Sequence, residues 1–130
     1  MSQQVNFKWP QGEDLEIALI YKEGNTEYAA SAVNLSSGYL ARMDIVLPAT
    51  KAVLATFDDE ISLGTGDDSA ANIVVWLPRT LVLSGGALYT NMNTTTNFNY
   101  DLFLRNTATD HQVKVLQGQI QIERSNTLWA

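Results

Sequence analysis

Apolar and polar residues alternate along most of the chain, and the three-and-four spacing of an amphipathic helix is nearly absent, so the pattern predicts a mainly β protein. Leu15, Ile17, Leu19 and Tyr21 share one parity and Glu16, Ala18, Ile20 and Lys22 the other, until Glu23-Gly24-Asn25 supplies a turn. Before that run, Val5, Phe7 and Trp9 predict a short strand ended by Pro10. Proline donates no ladder hydrogen bond, so this strand belongs at a sheet edge or bends away before Gln11-Gly12. A third strand, over about 38–47, puts Tyr39, Ala41, Met43, Ile45 and Leu47 on one face and Arg42 and Asp44 on the other, with Pro48 ending it. Residues 53–57 and 61–63 predict two more, followed by the turn-rich loop Gly64-Thr65-Gly66-Asp67-Asp68-Ser69. Residues 73–77 are continuously apolar, which predicts a strand buried on both faces.

The clearest alternation comes late. Phe98, Tyr100, Leu102 and Leu104 face one way and Asn97, Asn99, Asp101 and Arg105 the other, and a partner strand follows the turn at 106–110. In that partner Val113 and Val115 are odd but Ile120 and Ile122 even, so one residue is extra; Gly118 is the predicted site of the β-bulge. Seven or eight short strands without a crossover helix favour an all-β, immunoglobulin-like two-sheet antiparallel β-sandwich over residues 1–124, with 125–130 as a C-terminal tail. A jelly roll or small barrel is the alternative.

Residues 80–100 break the pattern, since none of them is charged and Gly85-Gly86 interrupts any helix. A long loop covering one end of the core is one reading. A subunit contact is the other, because charge depletion with aromatic and Met enrichment marks interface cores. The candidate contact residues are Leu81, Leu83, Leu88, Tyr89 and Met92, joined by Leu128 and Trp129 of the tail, where an apolar pair either plugs its own domain or anchors in a neighbour.

Composition narrows the function classes. The 130 residues suffice for one core, burying roughly two-thirds of the unfolded surface. Zero cysteines exclude disulfides, thiolate metal sites and thiol catalysis. A net charge of −6 with scattered basic residues argues against nucleic acid, and no signal peptide or membrane-length apolar run is present, so a cytoplasmic origin is expected. The one histidine, His111, has no G-x-S-x-G elbow or second histidine to work with and reads as a turn residue. Asp58-Asp59-Glu60 and Asp67-Asp68 offer oxygen ligands for calcium, but without the alternating spacing of an EF-hand they read as solvated acidic loops. Gly64-x-Gly66 lacks the lysine of a phosphate loop and is turn chemistry. Three tryptophans and five tyrosines allow a sugar-binding reading, in which Trp9 and Trp76 nonetheless sit at strand positions suited to core or edge packing.

Four segments in order carry a family resemblance: Phe7-Lys8-Trp9-x-Gln11-Gly12-Glu13-Asp14-Leu15-Glu16-Ile17; Asn34-Leu35-Ser36-Ser37-Gly38-Tyr39-Leu40-Ala41-Arg42-Met43-Asp44-Ile45; Tyr100-Asp101-Leu102-x-Leu104; and Val115-Leu116-Gln117-Gly118-Gln119-Ile120-Gln121-Ile122. From about Phe7 to Glu123 the chain resembles small immunoglobulin-like structural proteins of tailed bacteriophages. Those proteins repeat a W-x-x-G-D/E opening, a D-L-T-G-x-x-A-R-M strand entry, a Y-D-L strand and a terminal L-x-G-x-I-x-I strand. The departure is at 85–97, where such proteins pass quickly from a short turn into Y-D-L. The resemblance implies a non-enzymatic virion component made in the bacterial cytoplasm: a baseplate, tail-fibre attachment or head–tail joining subunit. Its expected partners are other tail, fibre or portal-proximal subunits in a symmetric multi-copy assembly, with no cofactor, metal, nucleic acid or membrane. A capsid decoration protein and a module binding host surface glycans are the competing readings, and an enzyme is not expected.

Overall fold

The computed structural model describes residues 3–23, 31–66, 70–89 and 97–125. Its strands are β1 (Gln3–Gln4), β2 (Phe7–Pro10), β3 (Leu15–Leu19), β4 (Lys22–Glu23), β5 (Ser31–Ala32), β6 (Tyr39–Val46), β7 (Val53–Phe57), β8 (Ile61–Leu63), β9 (Ile73–Leu77), β10 (Asn97–Asn106) and β11 (Gln112–Glu123). The larger sheet runs β11-β10-β6-β7, all antiparallel, with β1 and β2 lying in succession and parallel along the other side of β11. The smaller sheet is β3-β9-β8, also antiparallel, and β4 and β5 form a separate short hairpin. The two sheets pack face to face, giving the all-β sandwich that the alternation predicts.

The core is the layer between them. Phe98, Tyr100, Leu102 and Leu104 of β10 and Met43 and Ile45 of β6 meet Leu15, Ile17, Ile73, Val75 and Leu77 of the smaller sheet, all buried. Each such side chain stabilises the fold by about 1.5–3 kcal/mol. Since the chain has no cysteine, this packing and its hydrogen bonds carry the fold.

Two sequence expectations need correction. The extra residue of β11 lies at Val115–Leu116 and not at Gly118: the register with β10 shifts between Leu102, opposite Leu116, and Phe103, opposite Lys114. Both Val115 and Leu116 are buried, which is how odd-numbered and even-numbered apolar residues come to share one face. Nor is β9 buried on both faces. Ile73, Val75 and Leu77 point into the core, while Val74 is half-buried and Trp76 is 48% exposed on the outside of the smaller sheet. A continuous apolar run is therefore reporting one buried face and one apolar outer face.

Tight connections set the geometry between sheets. Between β2 and β3, Glu13 N–H donates to the Pro10 carbonyl at 3.1 Å across Gly12, whose φ of 97° a residue with Cβ rarely adopts. Between β6 and β7, the Lys51 N–H donates to the Leu47 carbonyl at 2.8 Å, with Lys51 itself at φ 59°. Lysine in this left-handed conformation costs about 1–2 kcal/mol, a place where glycine or asparagine is the easier residue.

Candidate functional site

The motifs that carry the resemblance have framework roles. Trp9 is fully buried and its indole N–H donates to the Glu13 carbonyl at 2.6 Å, bracing the turn that takes the chain from one sheet to the other. Gln11, also buried, donates its side-chain amide to the Val82 carbonyl at 2.9 Å, and Asp14 accepts from the Arg79 backbone N–H at 2.8 Å. The opening motif thus ties the N-terminal strands to the 3-10 turn at Arg79–Val82. In the second motif Leu35 is buried, Asn34 accepts from the Ser36 N–H at 3.0 Å, and the Gly38 carbonyl accepts from the Thr107 N–H at 2.9 Å.

The third and fourth motifs meet each other. Tyr100 of Y-D-L lies directly opposite Gly118 of L-x-G-x-I-x-I. A Cβ at Gly118 would sit 2.1 Å from the Val5 carbonyl oxygen, so the glycine is what lets the N-terminal strand approach. The Tyr100 hydroxyl donates to that same Val5 oxygen at 2.7 Å, and its ring lies 5.6 Å from that of Phe7. Burial pushes the Tyr100 phenol up to about 12. Asn6 completes the junction by accepting from the Gln119 N–H at 3.0 Å.

The uncharged segment begins as a compact cap. Val82 and Leu88 are fully buried, Leu88 N–H donates to the Leu81 carbonyl at 3.0 Å, and a Cβ on Gly86 would lie 2.1 Å from the Thr80 carbonyl oxygen. Of the candidate contact residues, Leu88 is therefore a core side chain, out of a partner's reach in this conformation. Leu81, Leu83 and Tyr89 are half-buried, with Leu81 and Tyr89 packed against the core and still partly open. Met92, Leu128 and Trp129 lie outside the described residues. Val82 and Leu88 thus cover the core, while Leu81, Leu83 and Tyr89 stay partly open.

Apolar positions that the alternation had passed over stand on the outer face of the larger sheet. Leu40 is 55% exposed and Phe103 36% exposed. Phe103 lies between Arg42 on β6 and Lys114 on β11, and the Lys114 ammonium is 5.6 Å from its ring centroid, a cation–π contact. Leu40, Arg42, Asp58, Asp101, Phe103 and Arg105 line a shallow trough of about 440 Å³. Two exposed ion pairs hold its polar groups in place, Arg42 with Asp44 at 3.3 Å and Arg105 with Asp110 at 2.6 Å. The sequence signal for this face was an apolar residue in an otherwise polar register: Leu40 beside Arg42, and Phe103 between Asp101 and Arg105.

Among the described residues Trp76 is the other exposed aromatic residue, on the outer face of the smaller sheet opposite Glu16. His111 is exposed in the turn before β11. Asp58 and Asp59 are exposed, Glu60 is half-buried, and Asp67 and Asp68 lie outside the described residues. Among the described residues no three His, Asp or Glu side chains are placed to hold a metal ion, and no helix is long and apolar enough to cross a membrane. No family model matches the chain, and no curated protein matches it.

Proposed function

We propose that the protein is a non-enzymatic structural subunit of a tailed-bacteriophage particle, working at the tail through contacts with neighbouring subunits. The observation that carries this reading is the convergence of the four ordered motifs on framework positions of one sandwich, the Tyr100–Gly118–Val5 junction above all. Motifs that build a scaffold fit a subunit whose work is to hold its shape and be held. The contact surfaces are the Leu40 and Phe103 face and the open parts of Leu81, Leu83 and Tyr89, together with Met92, Leu128 and Trp129 of the uncharged segment and tail. The test is gold-labelled antibody against the protein on purified particles, imaged by electron microscopy. Label at the tail supports the reading, label over the capsid replaces it with decoration, and unlabelled particles overturn the virion assignment.

Exposed Trp76 favours one competing reading, a glycan-binding module, because an open indole can stack on a sugar ring while the Glu16 carboxylate opposite it accepts hydrogen bonds from the ring's hydroxyls. Titrating host polysaccharide while following tryptophan fluorescence decides it. A saturable shift that disappears in Trp76→Ala supports the glycan module; a flat titration removes it.

A further inference from the structure

Among the described residues the two packed sheets leave four free edges, formed by β7, the β1 and β2 pair, β3 and β8. Folded proteins keep such edges from pairing with a second chain by proline, charge, irregularity or shortness. β2 carries exposed Lys8 and ends in Pro10, β3 has exposed Glu16 beside its centre, and β8 is three residues long. β7, Val53-Leu54-Ala55-Thr56-Phe57, has neither charge nor proline. Its one irregularity, a register shift opposite Ile45 and Val46, falls at its start and leaves residues 55–57 in step with 43–45. Val53 is 57% exposed, and among the described residues no backbone group of β7 has a hydrogen-bond partner other than β6.

The residues at the two ends of β7 carry opposite charge. Lys51 precedes it, held at φ 59° where glycine is the easier residue, and makes no ion pair among the described residues. Asp58-Asp59-Glu60 follows it, with Asp58 and Asp59 exposed and likewise in no ion pair among the described residues. Antiparallel pairing of two β7 strands sets Lys51 of each copy against the acidic run of the other, twice by symmetry. Parallel pairing sets like against like. A net charge of −6 opposes random self-association, so this is a place where the charges reverse that bias.

We infer that the β7 edge is a self-association surface: two copies pair β7 antiparallel across a two-fold axis, joining their larger sheets into one, with Lys51 facing Asp58-Asp59-Glu60 at both ends. The inference rests on edge chemistry and holds whether or not the particle reading does. The test is analytical ultracentrifugation of the full chain across a wide concentration range at low and high salt, with circular dichroism confirming that each variant is folded. The expected result is a reversible dimer that weakens with salt. Lys51→Glu should raise its dissociation constant about tenfold, and Val53→Lys, at an exposed edge position, should do the same. Adding Asp58→Lys and Asp59→Lys to Lys51→Glu restores complementarity with the signs exchanged and should bring the dimer back. A single-chain mass up to about 1 mM overturns the inference. So does a dimer indifferent to Lys51→Glu and Val53→Lys, or one that the charge exchange does not restore.

Discussion

Asn72 is buried in the core, yet every polar atom of its side chain is used. Its Oδ1 accepts from the Tyr21 N–H at 2.7 Å, and its Nδ2 donates to the carbonyls of Val33 at 2.7 Å and Tyr21 at 3.0 Å. One amide thus joins three stretches of chain distant in sequence, which a hydrophobic residue of equal size cannot do. Asn72→Ala removes all three of these hydrogen bonds and leaves a gap where a buried side chain stood, and is expected to cost about 3 kcal/mol, read as a lowered denaturant midpoint. Tyr100 works by a different means. Its phenol, pushed up to about 12 by burial, stays protonated in the folded chain at a pH where an unfolded tyrosine, near 10.0, has ionised. Its contribution is therefore full below about pH 10 and is lost as pH rises from there toward 12, amounting to about 2.5 kcal/mol. Tyr100→Phe should cost about 1–2 kcal/mol at neutral pH by orphaning the Val5 carbonyl. The gap between the two proteins should then close and change sign as the pH approaches 12 in alkaline unfolding experiments, and a constant gap from neutral pH to pH 12 would contradict this account.

At the scale of elements, the join between the N-terminal strands and β11 depends on one missing side chain. Gly118→Ala places a methyl group 2.1 Å from the Val5 carbonyl oxygen, a backbone atom that can move only with its strand. The variant is expected to lose about 2–3 kcal/mol and, by opening the packing that buries Tyr100, to shift its ionisation, read as tyrosinate absorbance, to lower pH. Alternation made most strands legible, because β3, β6 and β10 each have one face in the core and one in solvent. It also required the extra residue in β11. It did not locate that residue, since glycine looks like a bulge but Gly118 serves a close approach, while the bulge at Val115–Leu116 consists of two ordinary core side chains. The outer faces were legible least. Trp76, Leu40 and Phe103 are hydrophobic by type and exposed by position, and which side of a β9-like apolar run is open depends on whether a second layer covers it. For residues 80–100, charge depletion flagged the segment, but dividing core Val82 and Leu88 from half-open Leu81, Leu83 and Tyr89 needed the fold of the cap.

For the molecule as a whole, the layer that holds the fold together is distinct from the exposed surfaces proposed for contact, so the two can be changed separately. The layer between the sheets determines whether the domain folds, and Leu88 belongs to it although it sits in the uncharged segment. Leu88→Ala should therefore cost about 2–5 kcal/mol through the cavity it leaves, and any loss of incorporation into particles would follow from instability. Leu40 and Phe103 lie outside that layer, on a face that polar neighbours already keep solvated. The double variant Leu40→Ser and Phe103→Ser should unfold within about 1 kcal/mol of the parent, with the same cooperativity, since it removes exposed area and leaves the core untouched. If the outer face of the larger sheet is where a neighbouring subunit docks, this stable variant should be absent from particles assembled in its presence, measured by quantitative immunoblot against the parent protein. Incorporation at the parent's level, with stability unchanged, would move the contact away from this face and onto the half-open residues of the cap, where Leu81→Ser and Tyr89→Ser provide the next comparison.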